Sequence, residues 1–197
     1  MLLGLVGQIG TGKSEAARIL KRNHGAFVIS ADKIGKDVVD KNPVVLKRLV
    51  KAFGSAILTK SGNLKRKALG QIAFASDDTK KKLNEIVHPP LLKELEKQSK
   101  AAQKKYEIVV IDAALLIDWG WNKKVDYTIL IHAGKEIKIS RLIEKGLSRN
   151  EALMRIKSQL RYGELKKHAD FIIMNNKSLA SLEKRIDKIV EKLIQKG

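Results

Sequence analysis

Short aliphatic and β-branched runs alternate along this chain with longer amphipathic stretches. Leu2–Val6, Ala26–Ile29, Ile108–Ile111, Tyr127–Ile131 and Phe171–Met174 are bounded by Gly, Asp or Asn. They are apolar at nearly every position rather than at every second one, so they read as strands of a parallel sheet covered on both faces. The stretches between them mostly carry helical spacing. In the last, Leu182, Ile186, Ile189 and Leu193 share one face, while Lys184, Lys188, Lys192 and Lys196 fall elsewhere. Ser148-Arg149-Asn150-Glu151 has the form of a capping box that opens a helix, with Leu153, Ile156 and Leu160 as its apolar stripe. Strand–helix alternation predicts an α/β fold: a doubly wound, five-stranded parallel sheet with helices on both faces.

One stretch breaks the alternation. Residues 43–105 show several helical patterns and no clear strand. Asp77 is a candidate cap for a helix bearing Leu83, Ile86 and Val87, which Pro89-Pro90 would stop; Leu91, Leu92 and Leu95 would begin another. So much helix between two strands exceeds what a crossover needs, and predicts an inserted helical subdomain. The expected organisation is one domain over residues 1–197: a core (about 1–42, 106–137 and 164–197), the insertion (about 43–105) and a helical lid (about 138–163).

Composition narrows the class. The chain has 197 residues and is 44% hydrophobic, enough for one ordinary core. With no cysteine it has no disulfide, thiolate metal site or Cys nucleophile. Its apolar runs are far shorter than the roughly 20 residues of a membrane span, and Met1–Val6 lacks the basic flank of a signal peptide. A cytoplasmic protein without membrane attachment is expected. Lys and Arg number 40 against 21 Asp and Glu, a formal charge of +19. Such an excess attracts anions of any kind. Aromatics are 5% and are not interleaved with the basic runs, which argues against a single-strand stacking platform. Runs such as Lys80-Lys81-Lys82 are read as solvated helix faces.

The sharpest motif is Gly7-Gln8-Ile9-Gly10-Thr11-Gly12-Lys13-Ser14, which fits G-x-x-x-x-G-K-[ST]. Its glycines allow successive N–H groups to surround phosphate, Lys13 reaches the β and γ phosphates, and the Ser14 hydroxyl suits magnesium. Chance would produce such a match in about 1% of chains this long. The preceding apolar strand and the following helix-compatible run, Glu15 to Leu20, lower that figure. A nucleoside triphosphate site is implied. Glu15 stands where many such loops carry a small hydroxyl, so it offers only its backbone N–H and its carboxylate must point away.

In open α/β sheets the reacting groups lie beyond the carboxyl ends of strands. Asp32 follows the second strand and Asp112 ends the third; either could alternatively cap a helix. Beside a phosphate loop, Asp32 becomes the candidate general base and Asp112 the candidate acid that orders a magnesium-bound water. Residues 138–161 concentrate Arg141, Lys145, Arg149, Arg155 and Arg161, with Gly146 as a candidate hinge. That composition suits a lid that carries arginines to phosphate. The four histidines, His24, His88, His132 and His168, lack metal-ligand spacing. Trp119 and Trp121 are either core or the lining of an acceptor pocket.

Together these motifs resemble the dephospho-coenzyme A kinase family. The resemblance runs from Leu3 to about Leu193. It rests on Gly7–Ser14; on Ser30-Ala31-Asp32, similar to the family's D-A-D; and on Leu64-Lys65-Arg66 followed by Leu69-Gly70-Gln71-Ile72-Ala73-Phe74. It rests further on Leu83-Asn84-Glu85-Ile86-Val87-His88-Pro89, on Asp112-Ala113-Ala114-Leu115-Leu116, on Arg155-Ile156-Lys157-Ser158-Gln159, and on Ala169-Asp170-Phe171-Ile172-Ile173 with Asn175. The resemblance implies transfer of the ATP γ-phosphoryl group to the ribose 3′-hydroxyl of dephospho-coenzyme A, with Mg²⁺. Asp32 would be the base, alongside Lys13. Gly7, Gly10, Thr11, Gly12, Lys13, Ser14, Glu15 and Arg141 would hold ATP. Asp32, Arg66, His88, Leu115 and Arg155 would hold the acceptor, and Ser14 and Asp112 the metal. ATP and dephospho-CoA would be its partners, with no nucleic acid; a monomer is expected, with an oligomer left open. The chain departs from the family at Ser30, Ala114, Asp118 and Lys145, and Lys is a poorer bidentate partner for phosphate than Arg. The alternatives are another small-molecule P-loop kinase acting on a nucleoside or nucleotide, and an NTPase that binds nucleic acid.

Overall fold

The computed structural model describes residues 1–73 and 75–195, so Phe74 of the resemblance and Lys196 of the last helix face lie outside it. Five strands, β1 (Leu2–Val6), β2 (Phe27–Ser30), β3 (Val109–Asp112), β4 (Tyr127–His132) and β5 (Phe171–Met174), form one sheet in the order β2-β3-β1-β4-β5. The β1–β3, β1–β4 and β4–β5 ladders are parallel. Each strand starts within a residue of its expected position, because a strand buried on both faces must be apolar throughout and stops where polar residues resume. Two carboxylates fasten the strand starts: Asp126 Oδ2 accepts the Leu2 N–H at 2.6 Å, and Asp170 Oδ2 accepts that of Thr128 at 2.7 Å.

Contacts divide the chain into two compact units, Met1–Ile29 with Ser99–Gly197, and Ser30–Gln98. In the first, α1 (Lys13–His24) and α9 (Leu179–Ile194) cover the sheet with Ala16, Ile19 and Leu20 from one helix and Leu182, Ile186, Val190 and Leu193 from the other. Ile189 is only partly buried at the edge of that cluster. His24 and Asp187 tie the two helices at 2.7 Å. After β4 come α6 (Lys135–Ile143), α7 (Arg149–Lys157) and α8 (Tyr162–Lys166). Ser148 and Glu151 form the expected capping box of α7. The helix ends before Leu160, so its buried stripe is Ala152 and Ile156 rather than one reaching residue 160. Trp121 is 3% exposed and belongs to the core.

The second unit begins with α2 (Ala31–Lys41) and continues through α3 (Pro43–Phe53), α4 (Arg66–Ala73) and most of α5 (Asp77–Gln103). Among its described residues the only β pairing is the isolated bridge of Leu58 with Leu64. Two expectations fail here. Asp77 is not the cap of α5: Ser76 Oγ accepts the Thr79 N–H at 3.2 Å and Thr79 Oγ1 accepts the Ser76 N–H at 3.1 Å, so the reciprocal pair forms one residue earlier. Nor do Pro89 and Pro90 stop the helix, since both lie inside α5. The apolar stripe passes straight through them, with Ile86, Leu91, Leu95 and Ala102 all buried. Burial of that stripe outweighs two missing N–H donors, each a local preference of about 3 kcal/mol.

Candidate active site

β1 is flanked by β3 and β4, so the sheet order reverses at its carboxyl end, where open α/β sheets form their crevice. The glycine loop emerges there and runs into α1. Gly10 and Gly12 have φ of 80° and 91°, in the left-handed region. A β-carbon at Gly10 would lie 2.8 Å from the Lys138 carbonyl oxygen, and one at Gly12 would strike the Asn175 amide. Both positions therefore require glycine for space as well as for backbone angle. Gly12 is the N-cap of α1 and no side chain caps it; Glu15 donates its N–H back to the Gly12 carbonyl at 3.0 Å, which leaves those of Lys13 and Ser14 to face an anion.

The loop is held from beneath. Thr11, buried, folds its hydroxyl onto the Gln8 carbonyl at 2.7 Å. Asn175 Nδ2 donates to the Thr11 carbonyl at 2.9 Å. Arg141 donates from Nη1 to the carbonyls of Gly10 and Thr11 at 3.4 and 3.3 Å, and from Nη2 to that of Asn175 at 3.1 Å. Arg141 thus braces the loop backbone that it was expected to accompany at ATP. Ile9 donates its N–H to Gln159 Oε1 at 2.7 Å.

Lys13 and Asp112 meet in a close ion pair, with both side chains 14% exposed. The β1–β3 register produces this pairing: Asp112 stands opposite Leu5, two residues before the loop begins. Ser14 is exposed on the first turn of α1, and Glu15 turns outward to Arg18, Oε2 to Nη1 at 2.5 Å, as the loop chemistry requires.

The remaining candidates lie elsewhere. In the second unit, Ser30 Oγ accepts the Lys33 N–H at 3.3 Å and caps α2, which frees Asp32 from that duty. Asp32 sits exposed in the first turn of α2, where the helix field favours a carboxylate, and among the described residues it has no hydrogen-bond partner. Arg66, at the start of α4, is paired with Asp40 and donates to the Lys36 carbonyl at 3.3 Å. His88 lines an open groove on α5 with Lys80, Lys81 and Asn84. In the first unit, Leu115 is half-buried in the turn after β3, and Arg155 is exposed on α7.

Sequence reasoning missed Gln8 and Lys138. Both are buried, and Lys138 Nζ donates to Gln8 Oε1 at 2.5 Å. Burial pushes the Lys138 ammonium below the ordinary lysine value. His132, stacked on Tyr162 with centroids 3.9 Å apart, is also lowered, chiefly by burial and then by the nearby Lys138 charge. The available signal was the position of Lys138 four residues before Leu142, on the apolar stripe of α6.

A glycine loop between the central strand and its helix, with its lysine paired to the acid that ends the neighbouring strand, places the chain among P-loop nucleotide-binding proteins. The family model described as dephospho-CoA kinase matches residues 1–181. A dephospho-CoA kinase of Aquifex aeolicus is 36% identical over 191 residues, covering 97% of this chain and 96% of that protein. Among solved structures, TT1252 from Thermus thermophilus superposes with a TM-score of 0.82 at 29% identity, covering 98% of this chain and 97% of that one. The dephospho-CoA kinase from Campylobacter jejuni does so with a TM-score of 0.74 at 28% identity, covering 98% and 96%. The chain belongs to the dephospho-CoA kinase family, whose activity is transfer of phosphate from ATP to a hydroxyl group.

Proposed function

We propose that this chain passes the γ-phosphoryl group of ATP to the ribose 3′-hydroxyl of dephospho-coenzyme A, with Lys13 and Asp32 as its catalytic side chains. Asp32 takes the hydroxyl proton as the O3′–P bond forms. The bond between the γ-phosphorus and its bridging oxygen breaks, and ADP leaves with the bonding pair. Lys13 and the loop N–H groups meet the charge that moves onto the leaving phosphate. The observation that carries this reading is the Lys13–Asp112 pair at the carboxyl ends of β1 and β3, directly before an uncapped helix.

The Ser14 hydroxyl and the Asp112 carboxylate are hard oxygen donors of the kind magnesium takes together with phosphate oxygens and waters. They would hold Mg²⁺ directly and through a water, respectively, and the ion supplies positive charge against the β and γ phosphates. Arg155 and its neighbours on α6–α8 serve as a closing lid. Arg66, His88 and Leu115 contact the acceptor; for Arg66, that requires exchange of its Asp40 partner. A monomer acting in the cytoplasm on these small molecules, and not on nucleic acid, suits a chain without cysteine, two highly charged substrates and a surface poor in aromatics.

The test is an acceptor panel with ATP and Mg²⁺. Dephospho-CoA should be phosphorylated on the 3′-hydroxyl, and Asp32→Asn should lower kcat by about 10²-fold or more with ATP binding retained. Brisk turnover of a nucleoside or nucleotide with none of dephospho-CoA would assign the acceptor otherwise, and an Asp32→Asn enzyme with native kcat would remove the base.

A further inference from the structure

Six polar residues are buried among the described part of the chain: Gln8, Thr11, Ser99, Thr128, Lys138 and Asn175. Four of them, Gln8, Thr11, Lys138 and Asn175, lie on or against the glycine loop. Lys138 is the only charged one, 5% exposed. A buried ammonium is costly unless strong bonds replace its water, so its position calls for an explanation in what it holds.

What it holds is Gln8. The Lys138–Gln8 bond, at 2.5 Å, is charge-assisted, and such bonds are about twice as strong as neutral ones. It engages Oε1 and so fixes which way the Gln8 amide faces. With Oε1 turned to Lys138, Nε2 faces the opposite way and donates to the Leu160 carbonyl at 2.9 Å. Gln159, one residue earlier, receives the Ile9 N–H. The Ile9 side chain packs against Ile139, Leu142, Ala152 and Ile156, the cluster that joins α6 to α7. The Lys138 backbone itself lies directly beneath Gly10. The first half of the loop is therefore fastened at three successive places to α6 and to the segment that follows α7; Lys138 is the buried cation of that fastening, and Arg141 holds the carbonyls of Gly10 and Thr11 beside it.

We propose that Lys138 is a positioning residue for phosphoryl transfer, acting through Gln8 to set the backbone of the phosphate loop against the α6–α7 pair before nucleotide arrives. It does not touch the substrates. Without the ammonium the Gln8 amide is free to reverse, Leu160 loses its donor, and the backbone of residues 8–10 is no longer held where it leads into the rest of the loop. Misplacing a catalytic frame by about 1 Å costs on the order of 10²-fold in rate. The proposal rests on the reading of this loop as the ATP cradle, and it adds a specific prediction: the defect appears in the ATP terms and spares the acceptor.

Steady-state kinetics of the full chain decide the matter. Native turnover of dephospho-CoA checks the underlying reading first and separately. Lys138→Met keeps the length of the stem and removes the charge. In a variant whose circular dichroism remains native, kcat/KM for ATP should fall about tenfold or more, while KM for dephospho-CoA stays within about twofold. Gln8→Leu should reproduce that loss. The double variant should be no worse than the poorer single one, because both substitutions open the same connection. Native kcat/KM for ATP in Lys138→Met, losses that multiply in the double variant, or an equal rise in KM for dephospho-CoA would each overturn the assignment. Should Lys138→Met fail to fold, Gln8→Leu decides alone, and native ATP kinetics there would overturn it.

Discussion

Replacing Asp112 by Asn separates the ion pair that this carboxylate makes from the metal role proposed for it. It pairs with Lys13, and both side chains are only 14% exposed. At an effective dielectric of about 20, opposite charges 4 Å apart attract by about 4 kcal/mol, much of it offset by lost hydration. Hydrogen bonds to charged groups retain a net of about 1.5–3 kcal/mol. In the proposed reaction Lys13 gives up that contact to reach phosphate, and the pair then acts as a tax on nucleotide binding. Asparagine keeps one acceptor oxygen and loses the charge, which removes about half of the contact, roughly 1 kcal/mol or more. Metal-free ATP should then bind Asp112→Asn about five- to tenfold more tightly than the native protein. With magnesium the proposed metal role reverses the outcome, since a group that orients a metal-bound water is worth about 10–100-fold in metal affinity. The Mg²⁺ concentration for half-maximal turnover should rise by that factor. Calorimetric titration of ATP in excess chelator gives the first quantity, and turnover across a magnesium series the second. If metal-free ATP binds the variant no more tightly, the pair does not restrain Lys13; if the magnesium requirement is unchanged, Asp112 has no part in holding the metal.

Other expectations follow from the charges around the loop and the helix caps. His132 is held below the ordinary imidazole value, so on acidification below about pH 6.5 the unfolded chain takes up a proton that the native one refuses; stability should fall as pH drops through that window. Lys138→Met removes one of the two causes and should raise the His132 pKa by NMR, whereas an unmoved titration would mean that no charge stands beside it. Glu151 is held below the ordinary carboxylate value, first by the Ser148 hydroxyl and then by the Ser148 N–H. Its contribution is therefore present above the ordinary value and lost as pH falls through the lowered one. The melting temperatures of native protein and Glu151→Gln should differ at pH 7 and converge in acid, and a constant gap would rule out the capping box as its source.

What could be read from residue order alone was whatever local chemistry enforces. The strands were legible because β1 and β3 to β5 have no polar face to show, and the loop because Gly10 and Gly12 admit no side chain. Pro89 and Pro90 were misread for the opposite reason: their local preference is genuine, but the burial of Leu91 and Leu95 that overrides it is long-range. Asp77 was a good cap by type, and Ser76 won because it pairs reciprocally with Thr79. Lys138 was hidden among 40 basic residues, since nothing but packing distinguishes a lysine under the loop from one in water. Arg141 was found for its charge, yet its bonds run to three backbone carbonyls, a role that no spacing rule announces.

In the proposed reading, the amino end of α1, which no side chain caps, makes nucleotide a component of the folded protein as well as its substrate. A serine or aspartate at position 12 would satisfy those amides permanently and obstruct the anion; glycine leaves them to whatever polyphosphate is present. Occupancy at a hundred times the dissociation constant adds about 2.7 kcal/mol to resistance against unfolding. When nucleotide runs short, the same helix end gives up that reserve, so the lifetime of this protein in a starved cell should track the adenylate supply.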